Sequence, residues 1–257
     1  MELWQLGSGA FFLYIALVVV WRGGDRPRDR KAIAGAGAGL LLTLVSALVD
    51  LPLLATWVWP PLLLLIAYWS SGLLFVAPRP RQEAGLRWLD DRVGVRELAR
   101  RTPRALAEIL EAAYAGVYLL IPLALLVRIW LLPPADAARF WSIVLITDFV
   151  CFGVLPWVQT RPPRSLEAGD PWPSACRAFN LRLLGATSIQ VNTFPSGHAA
   201  EALIAALLVL GAPPVIMLVM FAAAVAVSAG AVLGRYHYLA DALAGWAVAV
   251  GVFWALG

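Results

Sequence analysis

Residues 3–21 read LWQLGSGAFFLYIALVVVW, without one charged side chain. About 20 helical residues cross the hydrocarbon core of a bilayer. A backbone in hydrocarbon must also satisfy its own hydrogen bonds, which leaves such a run few conformations besides helix. Seven further apolar segments follow, near 32–50, 53–77, 108–132, 138–158, 198–211, 213–233 and 238–256. The sequence is 61% hydrophobic, against roughly 45–50% in soluble domains. That is more apolar surface than one water-facing core can hide. The expected fold class is all-α, a polytopic membrane helical bundle of about eight hydrophobic segments. Trp4 and Trp21 bracket the first segment, and Trp130, Trp141 and Trp157 lie near the ends of the fourth and fifth, as interfacial anchors do. The first run lacks a basic leader and a small-residue cleavage site, so it reads as a retained helix. Gly35, Gly37 and Gly39 suit close helix packing.

Three stretches are polar. Residues 22–31 form a short basic loop. Residues 78–105 hold eight arginines against four acids. Within them Leu86, Leu89 and Val93 fall at helical spacing, so a helix lying in the interface is one reading and a solvated linker the other. Residues 159–197 form the longest stretch without a spanning segment, which in a compact domain points to function or disorder. Its part at 175–186 is mildly amphipathic and suits a lid helix. Counting spans puts all three stretches on one side, and the positive-inside rule makes that side cytoplasmic. The net charge of +4 has no isolated basic tail and no nucleic-acid module behind it. Composition points to membrane lipids as partners and to no nucleic acid; oligomeric state is not set by the sequence. Cys151 and Cys176 have neither the spacing nor the density of a disulfide framework or a zinc site.

The chain has two histidines, and each lies in a distinctive stretch: VNTFPSGH at 191–198 and RYHYLAD at 235–241. His237 and Asp241 are four apart and share a face on a helix. A carboxylate on one imidazole nitrogen fixes the tautomer and frees the other nitrogen to attack or to accept a proton. The plainer alternative is a helix-start histidine satisfied by a local acid. In PSGH, Pro195 and Gly197 around Ser196 suggest a tight turn into a helix. The unpaired first amides there suit a phosphate, with Ser196 adding a hydroxyl and Gly197 allowing close approach. The alternative is a capping turn. Arg161, Arg164 and Arg235 offer planar forks that match phosphate oxygens, or else serve as interfacial anchors. Asp148, inside the fifth segment, and Glu201, three residues after His198, are further candidates beside a structural role.

These motifs resemble the type 2 phosphatidic acid phosphatase superfamily, which also contains vanadium-dependent haloperoxidases. The resemblance covers about residues 108–256, and PSGH and His237-x-x-x-Asp241 match as they stand. The flanking NTFPSGHAA and GRYHYLADALAG look most like the branch of inositol phosphorylceramide synthases and related bacterial lipid phosphatases. Two positions depart from the family pattern. Val154 stands where its first motif has lysine, and Ala231 where its third has arginine. Arg164 and Arg235 are candidates to supply that charge.

The resemblance implies a six-helix phosphatase core at 108–257, with membrane helices and an interfacial linker at 1–107. It implies that His237, oriented by Asp241, attacks phosphorus and that His198 protonates the leaving oxygen. Arg161, Arg164, Arg235, Ser196 and the Gly197 amide would hold the phosphoryl oxygens. No cofactor and no metal are implied, since arginines neutralise the transition-state charge. Independently, the polar loops lack the carboxylate cluster of a magnesium enzyme. The activity implied is hydrolysis of a lipid phosphate or pyrophosphate monoester. The alternative is transfer of a phospho-head group to a lipid hydroxyl. A membrane scaffold or transporter would carry the motifs by chance and tolerate loss of either histidine. Membrane relatives mostly work on the extracytoplasmic face, opposite to the side that charge bias selects.

Overall fold

The computed structural model describes residues 1–49, 51–132 and 136–257. It is all-α and has no named strand among those residues. In chain order the helices are α1 (Leu3–Trp21), α2 (Pro27–Leu48), α3 (Pro52–Trp57), α4 (Trp59–Leu73), α5 (Pro80–Val93), α6 (Val95–Arg101), α7 (Arg104–Ala115), α8 (Val117–Leu131), α9 (Ala137–Val154), α10 (Ala175–Thr187), α11 (Gly197–Leu208), α12 (Pro214–Leu233) and α13 (Leu239–Leu256). Six stretches are long and apolar enough to cross a membrane: α1, α2, α3 with α4, α9, α12 and α13. The pair α7–α8 adds a seventh if its bend of 63° lies within one span. The chain is therefore a multi-pass membrane protein.

The eight expected apolar segments all form helix, with local departures. The third breaks at Val58, where Pro60 and Pro61 open α4; proline lacks the N–H that a continuous helix would need. The fourth turns sharply at Gly116 between α7 and α8. The second starts earlier than its apolar run. Pro27 occupies its first turn, and Asp29 accepts from the Arg26 amide at 3.1 Å and from its guanidinium at 2.9 Å. Arg-rich sequence there is thus helix, and the basic loop is correspondingly shorter.

Lipid does not drive helices together by apolar burial, so close packing of small residues must do so. Around α11 this is visible: Ala199, Ala200, Ala202, Ala205 and Ala206 are fully buried against α8, α9, α12 and α13. Large apolar side chains such as Leu13, Leu17, Leu218 and Trp254 instead face outward. The N-terminal half packs α1 on α2, α2 on α4, and α1 and α4 on α9.

The 78–105 stretch folds as helix, not as a solvated linker. Gly94, at φ 73°, separates α5 from α6 in a left-handed turn that glycine adopts without a Cβ clash. The inward face of α5 is acidic: Glu83 and Asp90 are buried, whereas Arg81, Arg87, Trp88 and Arg92 are exposed. Of the apolar trio, Leu86 and Leu89 are half-buried and Val93 is exposed. This acidic face meets the start of α13.

Candidate active site

Three loops meet at one end of the bundle, and backbone hydrogen bonds tie them together. The loop after α9 joins the one before α11 where the Asn192 amide donates to Thr160 O at 3.0 Å. The loop after α9 joins the α12–α13 loop where the Arg164 amide donates to Arg235 O at 2.9 Å. The Ser196 amide donates to Asp241 O at 2.9 Å, which fixes the PSGH turn against the first turn of α13. Gly245 makes that approach possible, since a Cβ there would lie 2.5 Å from Ser196 O. Within the α12–α13 loop, the amides of Tyr236 and His237 both donate to Ala231 O at 2.9 Å. Arg235 takes a left-handed φ of 61° to close this turn, a conformation uncommon outside glycine.

The two histidines come together. His237 Nδ1 lies 3.4 Å from Asp241 Oδ2, which also accepts from the Tyr238 amide at 2.8 Å. The ring centroids of His198 and His237 are 6.1 Å apart. His198 stacks on Tyr114 at 5.2 Å, and Tyr114 stacks on Tyr236 at 4.2 Å. The Tyr118 hydroxyl lies 3.2 Å from His198 Nε2. His198, His237, Gly197, Arg164, Glu201 and Tyr236 all line one cavity of about 400 Å³. Its outer wall is apolar, from α4 (Leu64, Leu65, Trp69) and α10 (Leu183, Leu184). The 175–186 segment is thus helix, and its C-terminal part lines the cavity.

The arginines and Ser196 divide differently from the sequence expectation. Arg164 lines the cavity, with its guanidinium carbon 5.5 Å from the Tyr236 ring centre. No carboxylate pairs with it among the described residues. Burial lowers its pKa, but a guanidinium starts so high that it stays charged. Arg161 is turned away and held bidentate by Glu83, at 2.9 and 2.8 Å. Arg235 is also turned away: it is only 3% exposed and reaches Asp90 at 2.7 Å and Glu167 at 2.7 Å. Neither Arg161 nor Arg235 lines the cavity, unlike Arg164. Satisfied ion pairs with buried acids hold their forks elsewhere. The Ser196 hydroxyl caps α11 by accepting from the Ala199 amide at 3.3 Å and is fully buried. It is a cap, not a cavity group. The amides of Gly197 and His198 sit at the orphan end of α11, where the first N–H groups lack intrahelical partners.

Sequence reasoning missed Tyr114, Tyr118 and Tyr236, which read locally as ordinary aromatic residues of apolar stretches. It also missed Glu83, Asp90 and Asn192. Asn192 donates to the Thr160 hydroxyl at 3.0 Å and lies beside Asp241.

A family model described as the PAP2 superfamily matches residues 87–255. The chain belongs to that superfamily, which is the type 2 phosphatidic acid phosphatase group that its motifs resemble. Membership supports a phosphatase-type function in lipid metabolism. No curated protein and no solved structure matches the chain.

Proposed function

We propose that the chain is a membrane lipid phosphatase that hydrolyses a lipid phosphate or pyrophosphate monoester through a phosphohistidine on His237. The observation that carries this reading is the pair of imidazoles 6.1 Å apart across a cavity with one polar, cationic end and one apolar wall. Asp241 accepts from the Nδ1–H of His237, which leaves the Nε2 lone pair as nucleophile. Nε2 attacks phosphorus, the P–O bond to the lipid breaks, and the leaving oxygen takes a proton from His198. The Tyr118 hydroxyl near His198 Nε2 marks the place of that oxygen. In the second half-reaction His198 takes a proton from water, the hydroxide oxygen attacks phosphorus, and the P–N bond breaks. Inorganic phosphate leaves and both histidines return to their starting states.

Arg164 and the free amides of Gly197 and His198 neutralise and orient the phosphoryl oxygens. Asp241 positions the His237 ring, and Tyr114 stacks on that of His198. The clamped Arg161 and Arg235, with the capping Ser196, hold the loops and do not touch substrate. Burial raises the Tyr238 phenol to about 12, so it stays neutral, with its hydroxyl donating to Arg161 O at 3.1 Å. The lipid chain lies against Leu64, Leu65, Trp69, Leu183 and Leu184. The site faces the cytoplasm, because the exposed arginines of α5 and α6 share its side and are not consumed by phosphate binding.

The test is phosphate release by purified protein from phosphatidic acid, lysophosphatidic acid and prenyl diphosphate, run beside His237→Ala. Release that requires His237 supports the proposal, and equal slow release by both proteins refutes it. A new phosphodiester on adding a lipid alcohol would instead identify a transferase.

A further inference from the structure

The cavity wall carries an acid that this mechanism leaves unused. Glu201 follows His198 by three residues on α11, so the two share a face. At 1.5 Å of rise per residue, Glu201 stands about 4.5 Å further along the helix, away from the phosphate end. Glu201 lines the cavity, and the carboxyl of Asp148 lies near it. Asp148 comes from the middle of α9, has 0% exposure, and finds no donor for either oxygen. It packs beneath the PSGH turn: a Cβ on Gly197 would lie 3.8 Å from its Oδ1. No arginine or lysine pairs with either acid among the described residues. Acids inside a membrane bundle are costly and are kept where they serve a site. Glu201 thus offers an unpaired carboxyl to a cavity whose outer wall is apolar.

We infer that Glu201, backed by Asp148, is a specificity subsite. It accepts a hydrogen bond from a hydroxyl or amino group on the substrate's carbon skeleton, about two or three bonds beyond the phosphoester oxygen. A site built around a buried acceptor rejects the analogue that lacks the donor, because the acceptor is then left unpaired. The substrate class is therefore a lipid phosphate with a free donor beside the ester. This inference rests on the phosphatase reading above.

The test uses three matched probes: 1-acyl-glycerol 3-phosphate, its 2-deoxy analogue, and its 2-amino analogue. Wild type is expected to turn over the hydroxyl or the amino probe with kcat/KM at least about tenfold above the deoxy probe. The hydroxyl and amino arms show which donor is used. Glu201→Leu brings that ratio to about one, and Glu201→Gln, which keeps an acceptor oxygen, retains part of it. Hydrolysis of all three probes without preference overturns the subsite and leaves the phosphatase reading standing. Equal loss on all three in Glu201→Leu also overturns it, in favour of a proton relay or a structural role. Turnover of none of the probes by a wild type that still hydrolyses phosphatidic acid or prenyl diphosphate overturns the subsite alone, and inactivity on all of these substrates removes both. Should Glu201→Leu fail to fold, the wild-type preference and the Glu201→Gln ratio decide.

Discussion

The Arg235 carbonyl accepts from the Arg164 amide at 2.9 Å, yet the two guanidiniums serve different ends. Arg164 faces the cavity; Arg235 is spent on Asp90 and Glu167. Their substitutions should therefore fail differently. Arg164→Ala should lower kcat about 10²–10³-fold with the fold intact, as loss of one charge-stabilising donor does. Arg235→Ala should cost about 3–5 kcal/mol of stability, because it strands buried Asp90 without its partner. Activity assays and thermal unfolding of detergent-solubilised protein separate the two. If both variants lost activity alike at unchanged stability, Arg235 would be a phosphate ligand after all. The sequence made both arginines look equivalent. Asp90 lies 145 residues from Arg235 along the chain, and no local pattern announces so distant an ion pair. The histidines were legible because their chemistry is local: His237 and Asp241 are four residues apart across the start of α13, and PSGH is its own turn.

At the scale of the element, α5 is the part that periodicity misjudged. The stretch was readable as an interfacial helix from its leucines, but the face that docks is the acidic one. Glu83 holds Arg161, and Asp90 holds Arg235 and accepts from the Leu239 amide at 2.9 Å. One helix thus braces two of the three loops. Hydrogen bonds from Arg161 hold the Glu83 carboxyl below its usual 4.5. A lowered folded pKa gives stability that is complete above the unfolded value and is lost as pH falls through the folded one. Wild type should then lose thermal stability on the acid side of about 4.5 more steeply than Glu83→Gln. Parallel losses would mean that the clamp contributes nothing. The apolar segments themselves were plain in the sequence. The break at Val58 and the bend at Gly116 were not, because apolar composition runs straight through both. The break matters, since α4 presents Trp69 and Leu65 to the cavity. Trp69→Ala should raise KM for long-chain lipid phosphates several-fold (about 1–2 kcal/mol of lost apolar contact) and spare short-chain water-soluble ones. A uniform change across chain lengths would place the lipid elsewhere.

Across the whole molecule, both halves of the bundle contribute to the cavity. The N-terminal helices supply an apolar wall, and the family-matched region supplies the histidines and Arg164. The exposed arginines of α5 and α6 define the charge of the face on which the three loops meet. Cysteine placed at Trp88, which is 57% exposed, should resist a membrane-impermeant thiol reagent in intact cells and react after permeabilisation. Labelling in intact cells would put the site on the opposite face. The claim on which everything else depends is covalent transfer to His237. Rapid quenching with a radiolabelled lipid phosphate that the enzyme turns over tests it directly. The account predicts acid-labile, alkali-stable label on His237, absent from His237→Ala. Steady turnover with no label on His237, or full turnover by His237→Ala, would contradict it.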